Sequence, residues 1–128
     1  MKNGRVAVPS NNGGGLNCLR SGHFGHCDAF TLIDLKDGQI MSDSVLKNID
    51  HSHGGCMVPV NLLAQNNVNA VIVGGIGRRP LMGFIDHDID VYIDQINDTV
   101  NKSVVELINE KLSKMSVDQS CGGGGGCH

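Results

Sequence analysis

The sequence predicts an α/β fold in which helices pack on a mixed five-stranded sheet, with the element order β-β-β-α-β-α-β-α. Three features carry that expectation. Asp37-Gly38 separates two runs rich in β-formers, and Asp-Gly supplies the positive φ of a tight hairpin turn. Ala70-Val71-Ile72-Val73 is a short unbroken apolar run, as in a parallel strand buried on both faces. Val100, Val104, Leu107, Ile108, Leu112 and Met115 recur at three- and four-residue steps, the pattern of an amphipathic helix.

Arg5-Val6-Ala7-Val8-Pro9 reads as a buried first strand that enters a flexible loop at Ser10-Asn11-Asn12-Gly13-Gly14-Gly15. Ala29 to Leu35 is the second strand, and Ile40 to Leu46 the third, antiparallel to it across the Asp37-Gly38 turn. A polar loop from Asn48 to Gly55 precedes a helix from about Cys56 to Gln65. Pro59 is tolerable there only in the first turn, which fixes the helix start near Gly55 or Cys56. Ala70 to Gly75 gives the fourth strand. Gly77 and Pro80 open a short helix near Leu81 to Ile85, and Ile89 to Ile93 alternates as a fifth strand. Asp98 or Thr99 caps the last helix. The strands of the second half are expected to be joined by right-handed crossovers. The domain spans residues 1–116; residues 117–128 form a Gly/Cys/His tail, because five consecutive glycines cannot bury a core.

Composition narrows the function. The 128 residues suit one domain. Aromatic content is 3 %, with no Trp and one Tyr, so base stacking is not expected; a net charge of −3 gives no general attraction to a phosphate backbone. Neither a membrane-spanning run nor a secretory apolar segment is legible, and a cytoplasmic home is expected. In a reducing compartment the five cysteines read as metal ligands or redox thiols rather than as a disulfide framework.

Ten of the eleven cysteines and histidines fall into three groups. Thiolate and imidazole are the protein ligands of soft and borderline metals. Cys18, His23, His26 and Cys27 form the first group, spaced unlike a zinc knuckle or a ferredoxin run. Gly22 and Gly25 bracket His23 and Phe24; Phe24 is either an anchor into the core or a wall that shields a cluster from water. His51, His53 and Cys56 form the second group. Alternate residues of an extended segment share a side, so His51 and His53 can point together. Cys56 stands at a helix N-terminus, where free N–H groups favour a thiolate or another anion. Cys121, Cys127 and His128 form the third group, in the tail.

The Gly74-Gly75-Ile76-Gly77-Arg78-Arg79-Pro80 turn lacks the Rossmann spacing, yet the carboxyl end of a central strand is a common ligand position. Arg78 and Arg79 there either offset the charge of an anionic cofactor or are simply solvated. His87, between Asp86 and Asp88, reads as a surface residue. No paired carboxylates and no Ser/His/Asp arrangement are legible.

Taken together, Val6-Ala7-Val8-Pro9-Ser10, Gly22-His23-Phe24-Gly25 followed by Phe30, Gly54-Gly55 before a helix, Val71-Ile72-Val73-Gly74-Gly75-Ile76-Gly77 and Ile89-Asp90-Val91-Tyr92 form a recognisable pattern. It resembles the dinitrogenase iron–molybdenum cofactor biosynthesis family, which includes NifX- and NafY-type cofactor carriers, the C-terminal domain of NifB and small stand-alone proteins such as the orange protein. The resemblance implies a ribonuclease-H-like fold and the carriage or assembly of a metal–sulfur cluster, of iron–sulfur or molybdenum-containing type, without catalysis. It points to Phe24, Gly25, Gly54, Gly55, Gly75, Gly77 and Arg78 as cofactor-contacting positions. The partners it implies are the metallocluster and its donor and acceptor proteins. His26, Cys27, Cys18 and the His51/His53/Cys56 set depart from the family's common pattern and add ligands to it. A zinc-binding or metal-buffering module, and a thiol-redox enzyme using Cys121 and Cys127, are the competing readings. Zinc alone in a colourless protein, or turnover without metal, discriminates them.

Overall fold

The computed structural model describes residues 1–11, 14–21, 27–48 and 57–115. The strands are β1 (Gly4–Ser10), β2 (Ala29–Lys36), β3 (Gln39–Lys47), β4 (Ala70–Val73), β5 (Asp90–Ile93) and β6 (Ser113–Lys114). The helices are α1 (Met57–Gln65), α2 (Arg78–Asp86) and α3 (Val100–Ile108). One mixed sheet runs in the order β3-β2-β1-β4-β5-β6. β1, β4 and β5 are mutually parallel, whereas β2, β3 and β6 pair antiparallel with their neighbours.

Alternation along the strands divides the core into two layers. Ala7, Phe30, Leu32, Val71, Val73 and Val91 face α1 and α2, whose Val60, Leu63, Leu81 and Phe84 close that side. Val6, Val8, Ile33, Ala70 and Ile72 face α3, through Val100, Val104 and Leu107. The Asp37-Gly38 hairpin forms as the sequence requires: φ is 52° at Asp37 and 77° at Gly38, the two positive values of a type I′ turn. Pro59 and Pro80 both lie in first helical turns. Thr99, not Asp98, caps α3, its side chain accepting from Lys102 N at 3.3 Å.

Two expectations are corrected. The sheet has six strands, not five, and the last helix stops at Ile108 instead of reaching Met115. The cause is Glu110, whose φ of 60° lies in the left-handed region. Glu110 N then bonds the Leu107 carbonyl at 3.0 Å and Lys111 N the Glu106 carbonyl at 2.9 Å, closing a Schellman cap. The chain turns back, Ser113–Lys114 pairs with β5, and Met115 N donates to the Val91 carbonyl at 2.7 Å. Leu112 and Met115 are apolar because they cover the core from this returning segment. The same cap ends α1 at Asn67 and α2 at Asp88, with φ of 61° and 58°. Among the described residues no helix is long and apolar enough to cross a membrane.

Candidate functional site

The topology gathers the connections that carry the first two Cys/His groups at one end of the sheet. β1, β4 and β5 finish there, at Ser10, Val73 and Ile93. Ser10 pairs with Ala29, and Ala29 with Lys47, so β2 begins and β3 ends at the same place. Connections 11–28, 48–56, 74–77 and 94–99 therefore leave from one edge of the fold.

Cys27 closes the first connection. It is 5 % exposed and packs in the core layer that holds Phe30 and Leu81. Asn48, at the mouth of the second connection, donates from Nδ2 to the Cys27 carbonyl at 2.9 Å and to its Sγ at 3.7 Å, while Asn48 N donates to the Asp28 carbonyl at 3.2 Å. The stems of the two loops are thus joined at Cys27. Burial pushes the thiol up to about 11, and the charge of Asp28 adds to this against the pull of the Ser10 and Ala29 backbone N–H groups. Without a metal, Cys27 is a neutral thiol at pH 7.

Cys18 is half-buried in the first connection, and its thiol donates to the Gly14 carbonyl at 2.7 Å. The chain around it is docked on α3. Val100 N donates to the Cys18 carbonyl at 3.0 Å and Asn101 N to the Leu16 carbonyl at 2.9 Å, so backbone carbonyls satisfy helix N–H groups that have no intrahelical partner. Leu19 bridges to Thr99 and Arg20 to Ser10. The Gly15 N–H donates at 2.9 Å to the Thr31 hydroxyl, which in turn contacts Ser10 Oγ at 2.7 Å.

Gly75 and Gly77 lie in the turn after β4. Gly75 has open space where a side chain would stand, and Gly77 precedes α2 in an extended conformation with φ −73° and ψ 163°. Arg78 and Arg79 are exposed in the first turn of α2. His87 is exposed in the turn after α2, as its sequence setting indicates. Phe24, Gly25, Gly54, Gly55, His23, His26, His51, His53, Cys56, Cys121, Cys127 and His128 lie outside the described residues, as does the 117–128 tail. Among the described residues no three of His, Cys, Asp and Glu come together to hold a metal ion. A cleft of about 510 Å³ beside Ile85, Asp88, Val91 and Met115 lies at the opposite end of the sheet, and no thiol or imidazole of the described residues lines it.

Two residues that the sequence reading passed over organise this end. Arg20 spans from the first connection to the turn after β5, donating from Nη2 to the Asp94 carbonyl at 2.6 Å and from Nε to the Asn97 carbonyl at 3.0 Å. Asp94 is 3 % exposed. Its carboxylate accepts from Ile96 N at 2.9 Å, Asn97 N at 3.0 Å, Asn97 Nδ2 at 2.8 Å and Ser103 Oγ at 2.8 Å. Burial, the largest single influence, pushes its pKa upward, but these bonds together outweigh it and hold the carboxyl below its ordinary range.

The family model described as "Dinitrogenase iron-molybdenum cofactor" matches residues 2–110. The chain belongs to this family. It is 33 % identical over 113 residues to the uncharacterized protein MJ0580 of Methanocaldococcus jannaschii, covering 86 % of this chain and 90 % of that one. The crystal structure of MJ0327 from the same organism superposes with a TM-score of 0.72 at 25 % identity, covering 91 % of this chain and 98 % of that one. The apo orange protein of Desulfovibrio gigas gives a TM-score of 0.79 at 21 % identity, covering 91 % and 96 %, a likeness of fold.

Proposed function

We propose that this family member binds and carries a metal–sulfur cluster, of iron–sulfur or molybdenum-containing sulfide type, as cargo and without catalysing a reaction. The observation that carries the reading is the joining of the two loop stems at Cys27 and Asn48. It supports the reading because the two connections whose sequences carry the first and second Cys/His groups leave the carboxyl end of the sheet with their stems joined. Family membership supports the choice of cargo.

The donor chemistry agrees. Thiols serve iron, copper and molybdenum sulfides once deprotonated. Cys27 is held neutral by burial, so it ligates only by exchanging its proton for metal, and loading is coupled to proton release. Cys18 must likewise give up its bond to the Gly14 carbonyl. The remaining ligands of the proposed site are Cys56 and the imidazoles of His23, His26, His51 and His53, with Cys121, Cys127 and His128 recruiting metal or passing it on. Cluster donor and acceptor proteins are the proposed partners.

The test is metal stoichiometry in Cys27→Ser and Cys56→Ser, loaded anaerobically with iron, molybdate and sulfide. Both variants are expected to bind far less metal and sulfide than the parent. Unchanged stoichiometry in both rejects the shared site.

A further inference from the structure

Among the described residues, the carboxyl end of the sheet holds a cation, Arg20, with no carboxylate bonded to it. Arg20 makes three side-chain hydrogen bonds, to the carbonyls of Asp94 at 2.6 Å and of Asn97 at 3.0 and 2.8 Å. All of these acceptors are neutral. The ion pairs among the described residues join Arg5 to Asp34, Lys102 to Asp98 and Lys114 to Asp90, and none involves Arg20. The nearby Asp94 carboxylate is taken up by Ile96, Asn97 and Ser103. The remaining nitrogen of the guanidinium, Nη1, is buried and has no hydrogen-bond partner among the described residues.

A buried donor left unmet is costly and rare in native folds, and a bound ion is one of the ways in which such a group is met. A side chain at Gly74 would meet Nη1 at 3.5 Å, so Nη1 stands directly over the backbone at the end of β4. The next residue, Gly75, has open space above it. The three carbonyl bonds hold the guanidinium in place before any ligand arrives, which spares the cost of ordering it. The chain's net charge of −3 attracts no anion in general, so any attraction is local to this group.

We infer that Arg20 is the anion-recognition residue of this end of the fold, with Nη1 donating to a compact tetrahedral dianion seated over Gly75. Arg20 lies two positions after Cys18 in the same docked connection, so one segment presents both a thiol and a fixed positive charge. The identity of the anion rests on the metallocluster reading: an oxo- or thiometallate is its charged component. Phosphate offers the same geometry and charge and is the other source of this chemistry.

The experiment is a titration of the full chain with sodium molybdate and, separately, with sodium phosphate. It is followed through the 15N signals of the arginine side chains and by calorimetry, on the parent and on Arg20→Lys. The Arg20 signals, assigned by their loss in Arg20→Lys, are expected to shift and saturate along a single-site isotherm. Arg20→Lys is expected to bind about tenfold more weakly or worse, the usual scale for a charge-assisted hydrogen bond. Preference for molybdate over phosphate, or the reverse, identifies the source. Arg20 signals that stay fixed at millimolar concentrations of both anions overturn the inference, as does equal affinity in a folded Arg20→Lys. If that variant fails to fold, Arg20→Gln supplies both the assignment and the affinity comparison. A protein that loads metal and sulfide with Arg20 unmoved rejects this inference only. One that engages molybdate through Arg20 yet never loads metal and sulfide rejects the cluster reading only.

Discussion

Asn48 holds Cys27 at two points, donating from one amide nitrogen to its carbonyl at 2.9 Å and to its sulfur at 3.7 Å. This is the joint between the two connections that carry the proposed ligands. Asn48→Ala removes both bonds and is expected to cost about 1–2 kcal/mol in urea unfolding. It is also expected to lower metal content under anaerobic loading, since the two stems are no longer held together. Full metal content in a destabilised Asn48→Ala would show that the joint serves folding alone.

Two groups set opposite pH limits on the metal-free fold. Asp94 is held below the ordinary carboxylate range, so its contribution is complete above the unfolded value of about 3.9 and is lost as pH falls through its folded value. Cys27 is raised to about 11. Its contribution is complete below the unfolded value of about 8.5 and is lost as pH rises toward the folded one. Denaturant midpoints across this range are expected to form a dome, with the alkaline limb reduced in Cys27→Ala and the acid limb in Asp94→Asn. For metal the sign reverses: each thiol proton displaced makes apparent affinity rise about tenfold per pH unit between pH 7 and 8, measured by chelator competition.

Glu110 holds a left-handed conformation, φ 60°, that a glycine adopts without strain. Glu110→Gly is expected to stabilise the protein by about 1 kcal/mol, a rise of about 4 °C in Tm by calorimetry. A loss of stability would show that the Glu110 side chain matters more than its backbone.

That residue also explains where the sequence was readable. The hairpin was legible because Asp37-Gly38 encodes its own turn, and the parallel strand at Ala70–Val73 because four buried residues share one short run. The sixth strand was not. Ser113 and Lys114 carry no apolar signal, and the helix stop sits on a glutamate where a glycine is the usual mark. Leu112 and Met115 continue a helical spacing although the chain has already reversed. In the site, Cys18 and Cys27 stood out by residue type. Arg20 did not, because its partners are carbonyl oxygens 74 and 77 positions away, and a carbonyl has no sequence signature.

Residues 121–128 consist of five glycines, two cysteines and one histidine. Such a segment has almost no apolar surface to bury. Its deletion is expected to leave the thermal midpoint within about 1 °C, since surface changes of this kind move stability little. The metal content of the truncated chain then reports whether the third ligand group adds capacity to the domain.

Whether the carboxyl end of this sheet carries a metal–sulfur cluster is decided by anaerobic purification followed by elemental analysis, acid-labile sulfide and an absorption spectrum on one sample. The expected sample is a coloured protein containing inorganic sulfide together with iron, or with molybdenum alone or alongside iron or copper. A colourless protein that contains zinc alone, or no metal, would contradict the cluster reading.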